Sequence, residues 1–109
     1  MKTRKIKIPL YFENLIVHKI NSFEEINAIY KGMDIPLERY SAIVFNDNKG
    51  NIVLAIEEVN YGIIAHEIVH IVNSIFKRTG MKLDVDNDEA QAYLTGYLMK
   101  EIDKFLSAI

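Results

Sequence analysis

From Tyr61 to Arg78 the apolar residues Ile64, Ala65, Ile68, Val69, Ile71, Val72, Ile75 and Phe76 recur at helical spacing. Plotted at about 100° per residue they cover more than half of the circumference, which predicts a largely buried helix. His66, His70, Asn73 and Lys77 form one narrow polar stripe on that helix, flanked by Glu67 and Ser74. Gly80 is placed to close it as a C-terminal cap. A second helix is predicted over about Asp88 to Ala108, with Leu94, Leu98, Ile102 and Phe105 on one side and Glu89, Ala92 and Gly96 along another stripe. The small residues Ala92 and Gly96 would let it press closely on its partner.

The first half reads differently. Lys5 to Phe12 and Leu15 to Ile20 predict two strands joined by a turn near Glu13-Asn14. Ser22-Phe23-Glu24-Glu25 reads as a capping box opening a short helix through Ile26, Ile29 and Tyr30, which Gly32 stops. Ile35-Pro36 begins a loop. Ala42 to Phe45 and Ile52 to Glu58 predict strands around Asp47-Asn48-Lys49-Gly50-Asn51, a hairpin loop by composition. The order β-β-α-β-β-α-α gives an α+β domain, a short mixed or antiparallel sheet packed on helices. One domain is expected over residues 1–109, without internal repeats.

Composition narrows the setting. Half of the 109 residues are apolar, enough for one core. Without cysteine there is neither disulfide stapling nor a thiolate metal site, which fits a reducing compartment. A net charge of −2 gives no global pull towards nucleic acid or an anionic membrane. Lys2, Arg4, Lys5 and Lys7 alternate with Ile6 and Ile8, and such cations on a first strand, with Pro9 after them, suit the guarding of an exposed sheet edge. No apolar run reaches membrane-spanning length and the N-terminus has no apolar core of a signal peptide, so a cytoplasmic protein is expected. So small a domain with an edge strand is expected to be a monomer or a weak dimer.

The chemistry lies in His66-Glu67-Ile68-Val69-His70. Two histidines four apart on a helix share a face, so both imidazoles can reach one Zn²⁺, with Glu67 beside the water it activates. A polar stripe on a mostly buried helix must satisfy its donors and charges, and a metal does that for the imidazoles. A catalytic zinc site takes three protein ligands and leaves a position for water. The third histidine, His18, alternates with Ile16 and Ile20 on a strand face and reads as a hydrogen-bonded structural residue, so a carboxylate is the candidate. Glu89 is the choice, with Asp86 and Asp88 as fallbacks; a helical run of about 12 Å from His70 to Arg78, then up to about 26 Å of extended chain, lets the chain double back. The competing role for Glu89 is a capping-box glutamate with Asp86 as N-cap.

His66-Glu67-x-x-His70 followed by Glu89-Ala90-x-Ala92-Tyr93 resembles the gluzincins, in particular small ones and the ImmA/IrrE-type metallopeptidases. The run from Asp86 to Tyr97 is similar to small proteins of phages and related mobile elements. The likeness covers about residues 60 to 100. It implies a zincin-like domain with zinc ligands at His66, His70 and Glu89, a general base at Glu67, and an edge strand that pairs with an extended peptide or protein substrate. The extra domain of larger relatives is not expected within residues 1–109.

Around that centre, Tyr93 or Tyr97 would hydrogen-bond the oxygen that gains charge during attack, with a packed tyrosine bearing a wet tip as the simpler role. Asn73, Asp84, Asp86 and Asp88 would orient ligands, or form a solvated polar surface. Two functions follow. The first is a zinc-dependent peptidase in which Glu67 takes the proton of an activated water. The second is a non-catalytic, zinc-stabilised or pseudoenzyme interaction domain of phage origin. Glu67 favours the first, because a structural zinc site has no use for it.

Overall fold

The computed structural model describes residues 1–37 and 40–109. The elements run β1 (Lys2–Ile8), β2 (Glu13–Lys19), α1 (Glu24–Ile29), β3 (Ala42–Asn46), β4 (Ile52–Ile56), α2 (Tyr61–Thr79) and α3 (Glu89–Ser107), an α+β order. The four strands make one mixed sheet in the order β1-β2-β4-β3. β1 and β3 run antiparallel to β2 and β4 respectively, while β2 and β4 are parallel. That parallel pair needs a crossover, which α1 and β3 supply.

β4 explains the layering. Ile52-Val53-Leu54-Ala55-Ile56 is a continuous apolar run, buried at every position, as a central strand covered on both faces must be. One face carries Ile6, Leu15, Val17, Leu54 and Ile56 into the main core with Ile64, Ile68, Ile71 and Ile75 of α2 and Leu94, Leu98 and Ile102 of α3. The other packs Ala55 with Ile20, Phe23, Ile26 and Ile35 under α1. β1, with its cations, is an edge strand, and the Arg4 guanidinium lies over the Phe105 ring, 5.7 Å from its centre.

Local signals account for most boundaries. Asn60 caps α2, its side-chain oxygen accepting the N–H groups of Gly62 and Ile63 at 3.0 and 3.2 Å. At the other end Gly80 takes a left-handed conformation, φ 75°, and the Met81 N–H reaches back to the Phe76 carbonyl at 2.9 Å. Asp47 organises the β3–β4 hairpin by accepting the backbone N–H groups of Lys49 and Asn51, both at 2.8 Å.

Four expectations are corrected. β1 ends at Ile8 rather than Phe12, because Pro9 has no N–H and the reversal occupies Pro9 to Phe12, with Leu10 and Phe12 at positive φ. β4 ends at Ile56, since the Glu57 and Glu58 N–H groups turn to the Ser41 carbonyl. The capping pattern before α1 is displaced by one residue: Ser22 Oγ accepts the Glu24 N–H, and Glu25 accepts that of Asn21. Finally, α2 is less buried than its composition suggests, for Ala65 and Val69 face solvent beside the histidines. The loop opened by Ile35-Pro36 includes residues 38 and 39, which lie outside the described residues. No helix among the described residues is long and apolar enough to cross a membrane.

Candidate metal centre

The solvent side of α2 holds the candidate site. His66 and His70, one turn apart, converge so that their Nε2 atoms stand 3.2 Å from each other, with ring centres at 4.9 Å and planes at 78°. Two nitrogens bound at about 2.0–2.1 Å to one tetrahedral ion would be about 3.3 Å apart. The pair therefore already has the spacing of two ligands to a single zinc. Both residues are exposed, so nothing closes the approach.

Glu67 flanks the pair on the same helix and is half-buried. Burial pushes its carboxyl above the usual carboxylate range, and the neighbouring His70 and His66 pull against that shift. A carboxylate whose proton affinity is raised beside two imidazoles is suited to accepting a proton.

Glu89 is not brought to this pair. Among the described residues no group of three or more His, Asp or Glu side chains stands where it could hold a metal ion. Helix levels give the reason. α2 and α3 form an antiparallel pair, with the Tyr61 hydroxyl donating to Asp103 Oδ1 at 2.7 Å at one end. From that level His66 is about 8 Å and His70 about 14 Å along α2 while Glu89 is about 21 Å along α3, so Glu89 lies more than one turn beyond His70 and about two and a half turns beyond His66. Glu89 is exposed and is the first residue of α3; Asp88, the N-cap, makes no side-chain capping bond. The alternative of Asp86 as N-cap with Glu89 as its capping-box partner is therefore overturned. The idea that Ala92 and Gly96 press on α2 is also corrected: both face solvent, and a Cβ built on Gly96 meets nothing within 4 Å.

The other named residues separate clearly. Tyr93 is 72 % exposed on α3, free of packing. Tyr97 is engaged, its hydroxyl donating to the Lys7 carbonyl at 3.0 Å and tying α3 to β1. Burial raises its pKa, helped by the charge of Glu101. Asn73 is exposed on the same side of α2 as the histidines. Asp84 accepts the Asp86 N–H within an exposed turn that also includes Asp88, and these acids stay in their own loop. His18 is the structural histidine expected: 5 % exposed, with Nδ1 2.7 Å from Thr3 Oγ1 and Nε2 2.6 Å from the Tyr30 hydroxyl.

Sequence reasoning missed Arg78. Its guanidinium donates to Glu13 Oε1 at 2.6 Å, to the Gly50 carbonyl at 2.8 Å and to Asn46 Oδ1 at 2.8 Å. The partners are 28 to 65 residues distant in the chain, beyond any local pattern. Compared with known proteins, the chain matches no family model, no curated protein and no solved structure at a significant level.

Proposed function

We propose that this chain is a zinc-dependent peptidase of gluzincin type, with His66 and His70 as metal ligands, Glu89 as the third and Glu67 as general base. The observation that carries the reading is the 3.2 Å separation of the two Nε2 atoms, with Glu67 close enough to feel both imidazoles. Zinc bound there would supply Lewis acidity, lowering the pKa of a water and polarising a substrate carbonyl. Glu67 would accept a proton from the attacking water and return it to the amine nitrogen as the peptide C–N bond breaks. Glu89 would complete the ligand set once the exposed start of α3 moves towards the pair by more than one helical turn. Exposed Tyr93 is the phenol that offers a hydrogen bond to the oxygen gaining charge, because Tyr97 is committed to Lys7. β3, the edge strand that packs against α2, offers unpaired backbone groups to an extended peptide.

A second reading draws on the distance of Glu89 from the pair: a zinc-stabilised interaction domain of phage type, without catalysis. Zinc content and cleavage of a peptide library, measured on wild type and Glu67→Gln, decide between them. Peptidase action predicts zinc in both proteins and cleavage in the wild type alone; His66→Ala and His70→Ala lose the metal. Stoichiometric zinc with no cleavage by the wild type selects the second reading. Absence of zinc binding at any free concentration below about micromolar defeats both.

A further inference from the structure

The sheet face opposite α2 holds a cavity of about 490 Å³ between the end of α1 and the β3–β4 hairpin, in a different part of the molecule from the histidine pair. It falls within the range of roughly 300–1,000 Å³ in which small-molecule sites lie. Its position follows from the fold. α1 has only six residues and covers the part of the face that holds His18 and Ala55, leaving Ile16 of β2 and Phe45 of β3 as lining.

The wall is preformed and aromatic. Tyr30 and Phe45 meet edge to face, ring centres 5.0 Å apart and planes at 81°. The Tyr30 hydroxyl is held by His18, so that ring is fixed at its tip as well as along its edge. A flat ring entering beside them gains aromatic contact without ordering a loose side chain. The rim is cationic. Lys31 and Lys49 line it, and Lys5, paired across the sheet from Ile16, stands on the same face. The one acid of the lining, Asp47, has its carboxylate occupied by the N–H groups of Lys49 and Asn51 and by the Asn51 amide, at 2.8 to 2.9 Å. Those hydrogen bonds point its oxygens into its own turn, although its charge still reaches the Tyr30 hydroxyl. Two lining ammonium groups, with Lys5 on the same sheet face, outnumber the single carboxylate and favour an anion over a neutral or cationic guest.

We propose that this cavity binds a small aromatic anion, a flat ring seated against Tyr30, Phe45 and Ile16 with a carboxylate or phosphate held by Lys31 and Lys49. The site is independent of the metal centre and of the peptidase reading.

The test titrates 2-naphthoate, 2-naphthyl phosphate and neutral 2-naphthylmethanol into isotope-labelled full-length protein and follows backbone and methyl resonances. Saturable shifts are expected at Ile16, Met33, Phe45 and the 46–51 hairpin, with at least one anion binding about tenfold more tightly than the neutral compound. Whichever anion binds more tightly identifies the head group. Lys31→Glu with Lys49→Glu, both on exposed side chains, should weaken the anion about tenfold at unchanged melting temperature, whereas His66→Ala leaves it unaffected. Ile16→Trp, filling the hollow, should abolish binding if the double variant loses stability and cannot be used. Lack of saturation by either anion up to about millimolar, equal binding of the neutral compound, or shifts confined to another surface overturns the proposal.

Discussion

His18 shows how one burial sets a pH dependence. Desolvation holds its pKa below the ordinary value of 6.5, because a charged imidazole between Thr3 and Tyr30 would lose its water. As pH falls through 6.5 the unfolded chain takes up a proton at this position that the folded chain still refuses, so unfolding gains. The contribution of His18 is thus complete above 6.5 and is lost progressively as pH drops from there towards its folded value. Urea midpoints measured for the metal-free protein on either side of that value should decline on acidification, and His18→Gln should flatten the decline. Equal slopes in both proteins would show that the imidazole is solvated in the fold. At the same scale, Phe12 is 97 % exposed with φ 54°, a left-handed conformation that costs a bulky side chain about 1 kcal/mol. Phe12→Asn, losing no packing, should raise stability by about 0.5–1 kcal/mol in chemical denaturation.

Among the elements, α3 offers the sharpest test. Gly96 lies in the helix interior with open space where a Cβ would stand, so Gly96→Ala should stabilise by about 1 kcal/mol through helix propensity and a less flexible unfolded chain. The same variant probes the metal centre. Because the added methyl points to solvent, zinc affinity should stay unchanged while metal-free stability rises; a loss of affinity would show that α3 turns this face towards α2 when the metal binds. Element type was legible here because α2 and α3 carry long periodic runs, and α2 has a strong C-terminal stop in Gly80. What periodicity conceals is which part of an apolar arc a partner covers. Ala65 and Val69 belong to the arc of α2 yet face solvent, for the core fully covers only Ile64, Ile68, Ile71, Val72, Ile75 and Phe76 of this helix. The β1–β2 reversal was hidden for another reason: Leu10 and Phe12 adopt turn conformations that their side chains disfavour.

At the scale of the molecule, local pattern supplies the order of elements but not the sheet order, since the parallel β2–β4 pair joins residues 37 apart. Nor does it supply the level at which Glu89 meets α2, which depends on how two helices slide on a shared core. The same holds for Arg78, whose guanidinium joins the start of β2, the β3–β4 hairpin and the end of α2 at one point. Its hydrogen bonds, one of them to the half-buried Glu13 carboxylate, tie the end of α2 to two segments that the β2–β4 ladder already joins to each other. Arg78→Ala leaves those acceptors to water at a partly shielded junction and should cost about 1–3 kcal/mol. Arg78→Lys should recover part of it, keeping the charge near Glu13 without the fork that reaches Asn46 as well. Hydrogen exchange distinguishes this joint role from an ordinary surface ion pair. Protection at Asn51 and along β4 should fall in Arg78→Ala along with that of the last turn of α2, because freeing the guanidinium loosens both segments together. A loss confined to the helix end would reduce Arg78 to a local surface contact, worth only about 0–1 kcal/mol.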